Sequence, residues 1–335
     1  MYIEVKMGKT FRLASMFSGV GGIELAFLNA SKKFDDIEVD VVWANDIDKH
    51  ACITYQENFG NDHLVEDSIR DVLAREDFIP DFDILTAGFP CQAFSIAGYQ
   101  NGFEDERGNL FFQIDKMLEL KSPECFLLEN VKNLQSHDNK NTFNVIEDYL
   151  KHRGYHIAAD VLDAMEHGNL PQTRERIFIV GFKDEDTLKR FEFPGPIKLT
   201  KTIHNIVNTS KKKPEYFYYK KDHQYYPMLK EHMKKKDTMY QWRRVYVREN
   251  KSNACPTLTA NMGTGGHNVP LLIDDFGFRK LTPEETFLFQ GFPKSFKLPK
   301  GMARSHLYKQ AGNSVPIPVV ERVAVNMLKA LTNNG

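Results

Sequence analysis

Between residues 11 and 182 short apolar runs alternate with longer stretches of helical periodicity, and this alternation constrains the fold more tightly than any other feature of the chain. "FRLASMF" (11–17), "VDVVWAND" (39–46), "DFDILTAG" (81–88), "PECFLLEN" (123–130) and "RIFIVGF" (176–182) have the length and apolar content of strands. "GIELAFLNASKK", "HACITYQENF", "LFFQIDKMLELK" and "NTFNVIEDYLKHRG" lie among them with apolar residues spaced for a helix. Strand, helix, strand as a repeating unit predicts an α/β domain around a βαβ sheet.

At 335 residues the chain exceeds the usual single-domain size, so one large domain and one smaller domain are expected. The pattern breaks at "FPGPIK" (193–198), with two prolines and a glycine. The expected organisation is 1–193 plus 304–335 for the first domain and 194–303 for a smaller, loop-rich second one. "SVPIPVVERVAVNMLKAL" (314–331) sets Val319, Val320, Val323, Ala324, Met327, Leu328 and Leu331 on one helical face, which is expected to return to the first domain.

No apolar run approaches eighteen residues, and "MYIEVKMGKTF" lacks the apolar core of a secretory signal, so a cytoplasmic protein with no membrane span is expected. Cys52, Cys91, Cys125 and Cys255 lie 39, 34 and 130 residues apart without a C-x-x-C pair, and no metal site is expected. The net charge of −1 conceals an uneven distribution. Between Lys211 and Lys251 thirteen Lys/Arg face five Asp/Glu, with nine aromatics interleaved from Tyr216 to Tyr246. A basic, aromatic-rich segment in an otherwise acidic chain is the footprint of contact with a phosphate backbone; a solvated charged face is the competing account.

"MFSGVGGIELAF" (16–27) follows a strand and opens a helix, with Gly19, Gly21 and Gly22 in the turn. Glycines there let backbone approach a ligand at the carboxyl end of the first strand. The turn lacks both G-x-G-x-x-G and G-K-[ST], which disfavours NAD and ATP. In "ANDID", Asp46 falls where an acid accepts ribose hydroxyls, while Asp48 is the better placed helix cap. A glycine turn followed by a ribose acid suggests an adenosine-containing cofactor without a polyphosphate.

"AGFPCQAFS" (87–95) sets Cys91 after Pro90 at the end of a strand, in polar surroundings unlike a core. A nucleophilic cysteine needs a depressed pKa, which nearby cations supply. "PQTRERIFIV" offers Arg174 and Arg176, two apart on an extended segment, and "LLENV" sets Glu129 at a strand end, where burial would raise its pKa. Taken singly, Cys91 could be packing, the arginines a salt-bridged face and Glu129 a cap; together they converge on one sheet edge.

In this order "MFSGVGGIELAF", "ANDID", "GFPCQAFS", "LLENV", "QTRERIFIVG", "RKLTPEETFLFQGFP" and "YKQAGNSVPIP" resemble the motifs of the DNA (cytosine-5) methyltransferases nearly end to end. The lysine- and tyrosine-rich segment, closing at "CPTLTANMGTGGHN" (255–268), sits where that family keeps its target recognition region. The resemblance implies a Rossmann-like S-adenosylmethionine-dependent sheet with a smaller recognition domain. It also implies S-adenosylmethionine as methyl donor, S-adenosylhomocysteine as product and a cytosine in duplex DNA as acceptor. Cys91 would add to C6, Glu129 would serve N3, and Arg174 and Arg176 would orient the base and the cysteine loop. Because C6 is inaccessible within the stack, the base would be flipped out.

By the same resemblance Phe17 and Ile47 would flank the adenine, Asp46 bind the ribose, Asp67 meet the adenine amino group and Asn313 close the pocket. Gly19, Val20, Gly22, Gly88, Pro90, Leu110 and Ser314 complete the implied cofactor contacts. Arg243 and Arg244, as phosphate or groove contacts with phosphate favoured, and Thr259 with the loop carrying Gly263, Gly265 and Gly266 are the candidate DNA contacts in the recognition region. Asp46 stands where the family usually carries Glu, "EDSIRDV" is one residue longer than the usual pattern, and Glu284 stands where Arg is common. A monomer acting on a short DNA site, with a possible cognate restriction endonuclease, is expected; methylation of transfer RNA and a non-catalytic DNA-binding relative are the alternatives.

Overall fold

A computed structural model describes residues 8–75, 79–89, 110–243, 246–264 and 269–332. Pro90, Cys91, Arg244, Gly265 and Gly266 lie outside the described residues.

Seven strands form one sheet: β1 (Lys9–Met16), β2 (Ile37–Asp46), β3 (Leu64–Glu66), β4 (Ile84–Gly88), β5 (Cys125–Val131), β6 (His156–Asp163) and β7 (Glu175–Phe182). Their spatial order is β3-β2-β1-β4-β5-β7-β6. Helices α1 (Gly22–Ser31), α2 (Lys49–Phe59) and α3 (Ile69–Leu73) follow the first three strands in turn. Later come α4 (Leu110–Lys121), α5 (Asn141–His152), α6 (Ala164–Gly168) and α7 (Glu185–Arg190). The first five strands are parallel, as repeated strand–helix–strand units require.

The simple repeat ends at β7, which runs antiparallel to both β5 and β6. β6 is a strand the apolar pattern did not mark. Its sequence, "HIAADVLD", buries only Leu162 and lies at the sheet edge, so little selection for an apolar run acts on it.

Side chains alternate across the sheet and feed two cores. Leu127 on β5 joins Leu13, Phe27 and Phe178 on one face. Phe126 and Leu128 join Met16, Phe111 and Ile114 on the other. Helix α11 (Ile317–Thr332) covers the first face with Val319, Val320, Val323, Ala324, Met327 and Leu328 all buried, and packs on α1, where Ala26, Phe27 and Ala30 meet it.

The lysine- and tyrosine-rich segment contains α8 (Tyr226–His232) and feeds a second sheet, β8 (Tyr240–Arg243), β9 (Tyr246–Glu249), β10 (Leu271–Asp274) and β11 (Gly277–Lys280), in the order β11-β10-β8-β9. Its core is small: Leu229, Met233, Tyr240, Trp242, Val247 and Leu271. Arg279 is fully buried and donates to Asp274 at 2.7 Å and to Glu285 at 2.8 and 2.9 Å, tying β11 to α9 (Pro283–Phe289). Thr282 and Glu285 cap α9 reciprocally. Helix α10 (Arg304–Asn313) then leads into α11.

Candidate active site

The parallel strands end along one edge. In the sheet register Met16 stands beside both Asn45 and Ala87, and Gly88 beside Glu129. β7 begins at this edge because it runs the other way, with Arg176 opposite Val131. Strands on either side of β1 and β4 diverge in chain order here, which is where open α/β sheets hold ligands.

The turn after β1 is built for close approach. Phe17, Gly19 and Gly21 all have positive φ, and a Cβ on Gly21 would fall 2.2 Å from the Phe59 ring, so glycine is required there. The Gly19 N–H donates to Asp46 Oδ2 at 2.7 Å, and the Asp48 N–H donates to Asp46 Oδ1 at 2.8 Å. Burial raises the Asp46 pKa against these two bonds, and each oxygen retains a lone pair for a hydroxyl donor. Asp48 caps α2 by accepting from the His50 and Ala51 N–H groups. Partial burial pushes its carboxyl up, but a 2.6 Å ion pair with Lys309 outweighs this and holds it below its ordinary value.

Across the edge Glu129 is buried and pairs with Arg176 at 3.0 Å. Burial raises its pKa despite Arg176 and Arg174, so the carboxyl is more readily protonated than an exposed one. Next to it Asn130 Nδ2 donates to the Phe89 carbonyl at 3.0 Å, fixing the backbone two residues before Cys91 in the sequence. Arg174 points elsewhere than Arg176. Its buried guanidinium donates to the carbonyls of Leu258, Gly312 and Ser314, joining β7 to two segments distant in sequence. Extended backbone put the two arginines near each other, but only Arg176 meets Glu129.

Both groups open on one cavity of about 790 Å³. Phe17, Gly19, Val20, Gly22, Asp46, Ile47, Asp67, Gly88, Leu110, Asn313 and Ser314 line it, together with Glu129, Arg174 and Arg176. Arg243, Thr259 and Gly263 do not line it. Ile47 is 72% exposed, an apolar side chain facing open space beside Asp46. Asp67 accepts from the Ser68 N–H at 2.7 Å and pairs with Arg75. Lining residues missed in the sequence include Ser68, Asn130 and Lys309. Asn130 and Lys309 both stood in quoted motifs, but nothing in the letters around Lys309 pointed to its partner, which lies 261 residues away.

The donor set fits an adenosine. A glycine turn allows close approach, Asp46 offers two oxygens to vicinal hydroxyls, and Phe17 and Ile47 supply apolar surface for a flat base. Glu129 and Arg176, an acid and a cation in the same hollow, can hold and protonate a polar heterocycle. Sheet and site together make a Rossmann-like fold of the kind that S-adenosylmethionine-dependent methyltransferases share, with a cavity suited to a nucleoside. The S. pombe Dnmt2 methyltransferase shares this fold at a TM-score of 0.71 and 18% identity, with 96% of this chain and 99% of that chain covered. Entamoeba histolytica EhMeth does so at 0.68 and 16%, covering 97% and 99%.

The chain belongs to the C-5 cytosine-specific DNA methylase family, whose profile matches residues 11–329. It is 53% identical over 322 residues to the Type II methyltransferase M.Bsp6I of Bacillus sp. (strain RFL6), covering 96% of this chain and 99% of that protein. It is 35% identical over 332 residues to M.HhaI of Haemophilus parahaemolyticus, covering 96% and 95%. The protein is therefore a DNA (cytosine-5)-methyltransferase. No described helix is long and apolar enough to cross a membrane, and among the described residues no cluster of His, Cys, Asp and Glu could hold a metal.

Proposed function

We propose that the enzyme methylates C5 of a cytosine flipped out of a short, specific duplex DNA site, with S-adenosylmethionine as donor and through a covalent bond between Cys91 Sγ and C6. The Type II names of its relatives support a role in a restriction–modification system, with an endonuclease acting on the same site.

Cytosine C5 is a weak carbon nucleophile. Addition of the Cys91 thiolate to C6, with Glu129 donating to N3, turns the ring into an enamine whose C5 can accept a methyl group. Methyl transfer leaves S-adenosylhomocysteine; loss of the C5 proton to a base, return of the N3 proton to Glu129 and elimination of the thiolate then restore the aromatic ring. The donor, when bound, supplies an electrophilic methyl on a sulfonium. Asp46 would hold its ribose, Phe17 and Ile47 its adenine, and Asp67 the adenine amino group. Arg176 holds the Glu129 carboxyl in place at 3.0 Å. Asn130 holds the Phe89 carbonyl, so the backbone feeding the cysteine segment is fixed from the same strand as the acid. The domain division stated above is part of this reading, with the recognition domain at 194–303 meeting DNA through Arg243, Arg244, Thr259 and the glycines at 263, 265 and 266.

One observation carries the reading: a buried carboxyl of raised pKa, paired with an arginine, shares a cavity with a glycine turn and an aspartate suited to a nucleoside. Transfer of labelled methyl from S-adenosylmethionine to duplex DNA, with transfer RNA as the comparison, tests it. Cys91→Ser is expected to abolish transfer, and duplex containing 5-fluorocytosine at the target to give a denaturation-resistant adduct with the native enzyme. Turnover by Cys91→Ser, or preferential labelling of RNA, would remove the proposal.

A further inference from the structure

We propose that helix α10 positions the 257–264 segment according to whether the cofactor is bound, so that filling the cofactor site orders a surface presented to DNA. The proposal rests on the reading of the cavity as a cofactor site.

One side of α10 is fastened to the rim of the cavity. Lys309 Nζ pairs with Asp48 Oδ2 at 2.6 Å, and the Asp48 N–H donates to Asp46 Oδ1 at 2.8 Å, so a single residue separates the helix from the proposed ribose acceptor. Gln310 Nε2 donates to the His50 carbonyl at 2.8 Å, and Gln310 Oε1 accepts from Thr54 Oγ1 at 2.9 Å. The His306 ring lies on the His50 ring with centroids 3.5 Å apart and planes within 9°. Three contacts join α10 to α2 and a fourth joins it to the residue that caps α2.

The other side bears directly on the 257–264 segment. A Cβ on Gly312 would fall 2.2 Å from both the carbonyl carbon and the oxygen of Thr259, so backbone rests on backbone with no side chain between. A Cβ on Gly263 would fall 2.6 Å from the Tyr308 ring. Arg174 clamps the arrangement, donating to Leu258 on the segment and to Gly312 and Ser314 at the end of α10. The segment has neither helix nor strand of its own; Thr257 and Leu258 are held by Thr173 and Gln172, while 259–264 closes its turns on itself, as in the Met262 N–H to Thr259 carbonyl bond at 3.1 Å. None of residues 257–264 lines the cavity.

A ligand in the cavity therefore cannot reach the segment directly. It can act through α10, because contacts of this closeness transmit a displacement of one partner to the other instead of absorbing it. Coupling of this kind is reciprocal, so DNA held on the segment would tighten the cofactor site equally.

Hydrogen exchange on the full-length protein, with and without S-adenosylhomocysteine, tests the idea without knowledge of the DNA site. In the native enzyme the ligand is expected to slow exchange of amides 258–264 by at least about threefold. Lys309→Met, studied at a ligand concentration that calorimetry shows to be saturating, is expected to lose most of that protection while β1 and β4 stay protected. Gly312→Ala severs the other side and is expected to do the same; Lys309→Met, altered at a half-exposed side chain, serves if that variant does not fold. Ligand binding with unchanged exchange of 258–264, or full protection in Lys309→Met, overturns the proposal. Failure of S-adenosylhomocysteine to bind at all sinks the cofactor reading, and this proposal with it.

Discussion

Two buried carboxyls behave differently because of what lies beside them. Glu129 has Arg176 at 3.0 Å and sits in the cavity, where the mechanism proposed above uses a proton on it. Glu129→Gln keeps the shape but cannot cycle a proton, and labelled-methyl transfer should show kcat lower by about 10²-fold or more, with DNA affinity little changed. A variant keeping most of its kcat would remove the proton from the mechanism. Glu24, in the first turn of α1, has no cation of this kind, and no described residue gives either of its carboxyl oxygens a hydrogen bond; burial pushes its carboxyl up to about 7. An unfolded Glu titrates near 4.5, so folding is disfavoured progressively as pH rises from that value through about 7. By linkage the penalty reaches about 3 kcal/mol above this window. Thermal melts of Glu24→Gln should therefore gain on the native enzyme between pH 5 and pH 8; parallel curves would refute the assignment. The role of Asp48 as the cap of α2 was readable in five letters because helix capping is local. The separation of Arg174 from Arg176 was not, since each is decided by partners elsewhere in the chain.

At the scale of elements, the amphipathic stripe of α11 named both the helix and its buried face. Val319, Val320, Val323, Ala324, Met327 and Leu328 are all inside. Leu328→Ala should lower stability by about 2–5 kcal/mol through lost burial and the cavity left behind, as read by urea unfolding; a change under about 0.5 kcal/mol would mean the helix does not seal this face. Strands buried on both faces, such as β4 and β5, announced themselves as apolar runs. β6 did not, because an edge strand with one buried side chain needs no such run. The reversal of β7 was equally silent, since strand direction depends on the connection and not on the strand's own letters.

Across the whole molecule, charge is uneven: the stretch 211–251, which contributes most of a small apolar core, carries a cationic excess, while the rest of the chain is net acidic. If Arg243, exposed at the end of β8, meets a phosphate, Arg243→Ala should weaken duplex binding uniformly across sequences. Anisotropy titrations at several salt concentrations should then show the log–log salt slope reduced by about 0.9; an unchanged slope would exclude the contact. The amino-acid sequence by itself determined what depends on near neighbours: the two periodicities that make sheet and helices, the glycine turn, the caps, the uneven charge, and a motif order specific enough to point to one family. Only the tertiary structure decided which of those pieces meet. Arg174 grips carbonyls 84 to 140 residues away, Lys309 reaches Asp48 across 261, and Gly312 is glycine because a distant backbone rests on it. Such contacts leave no periodic trace, because they are selected by the shape of the folded surface and not by spacing along the chain.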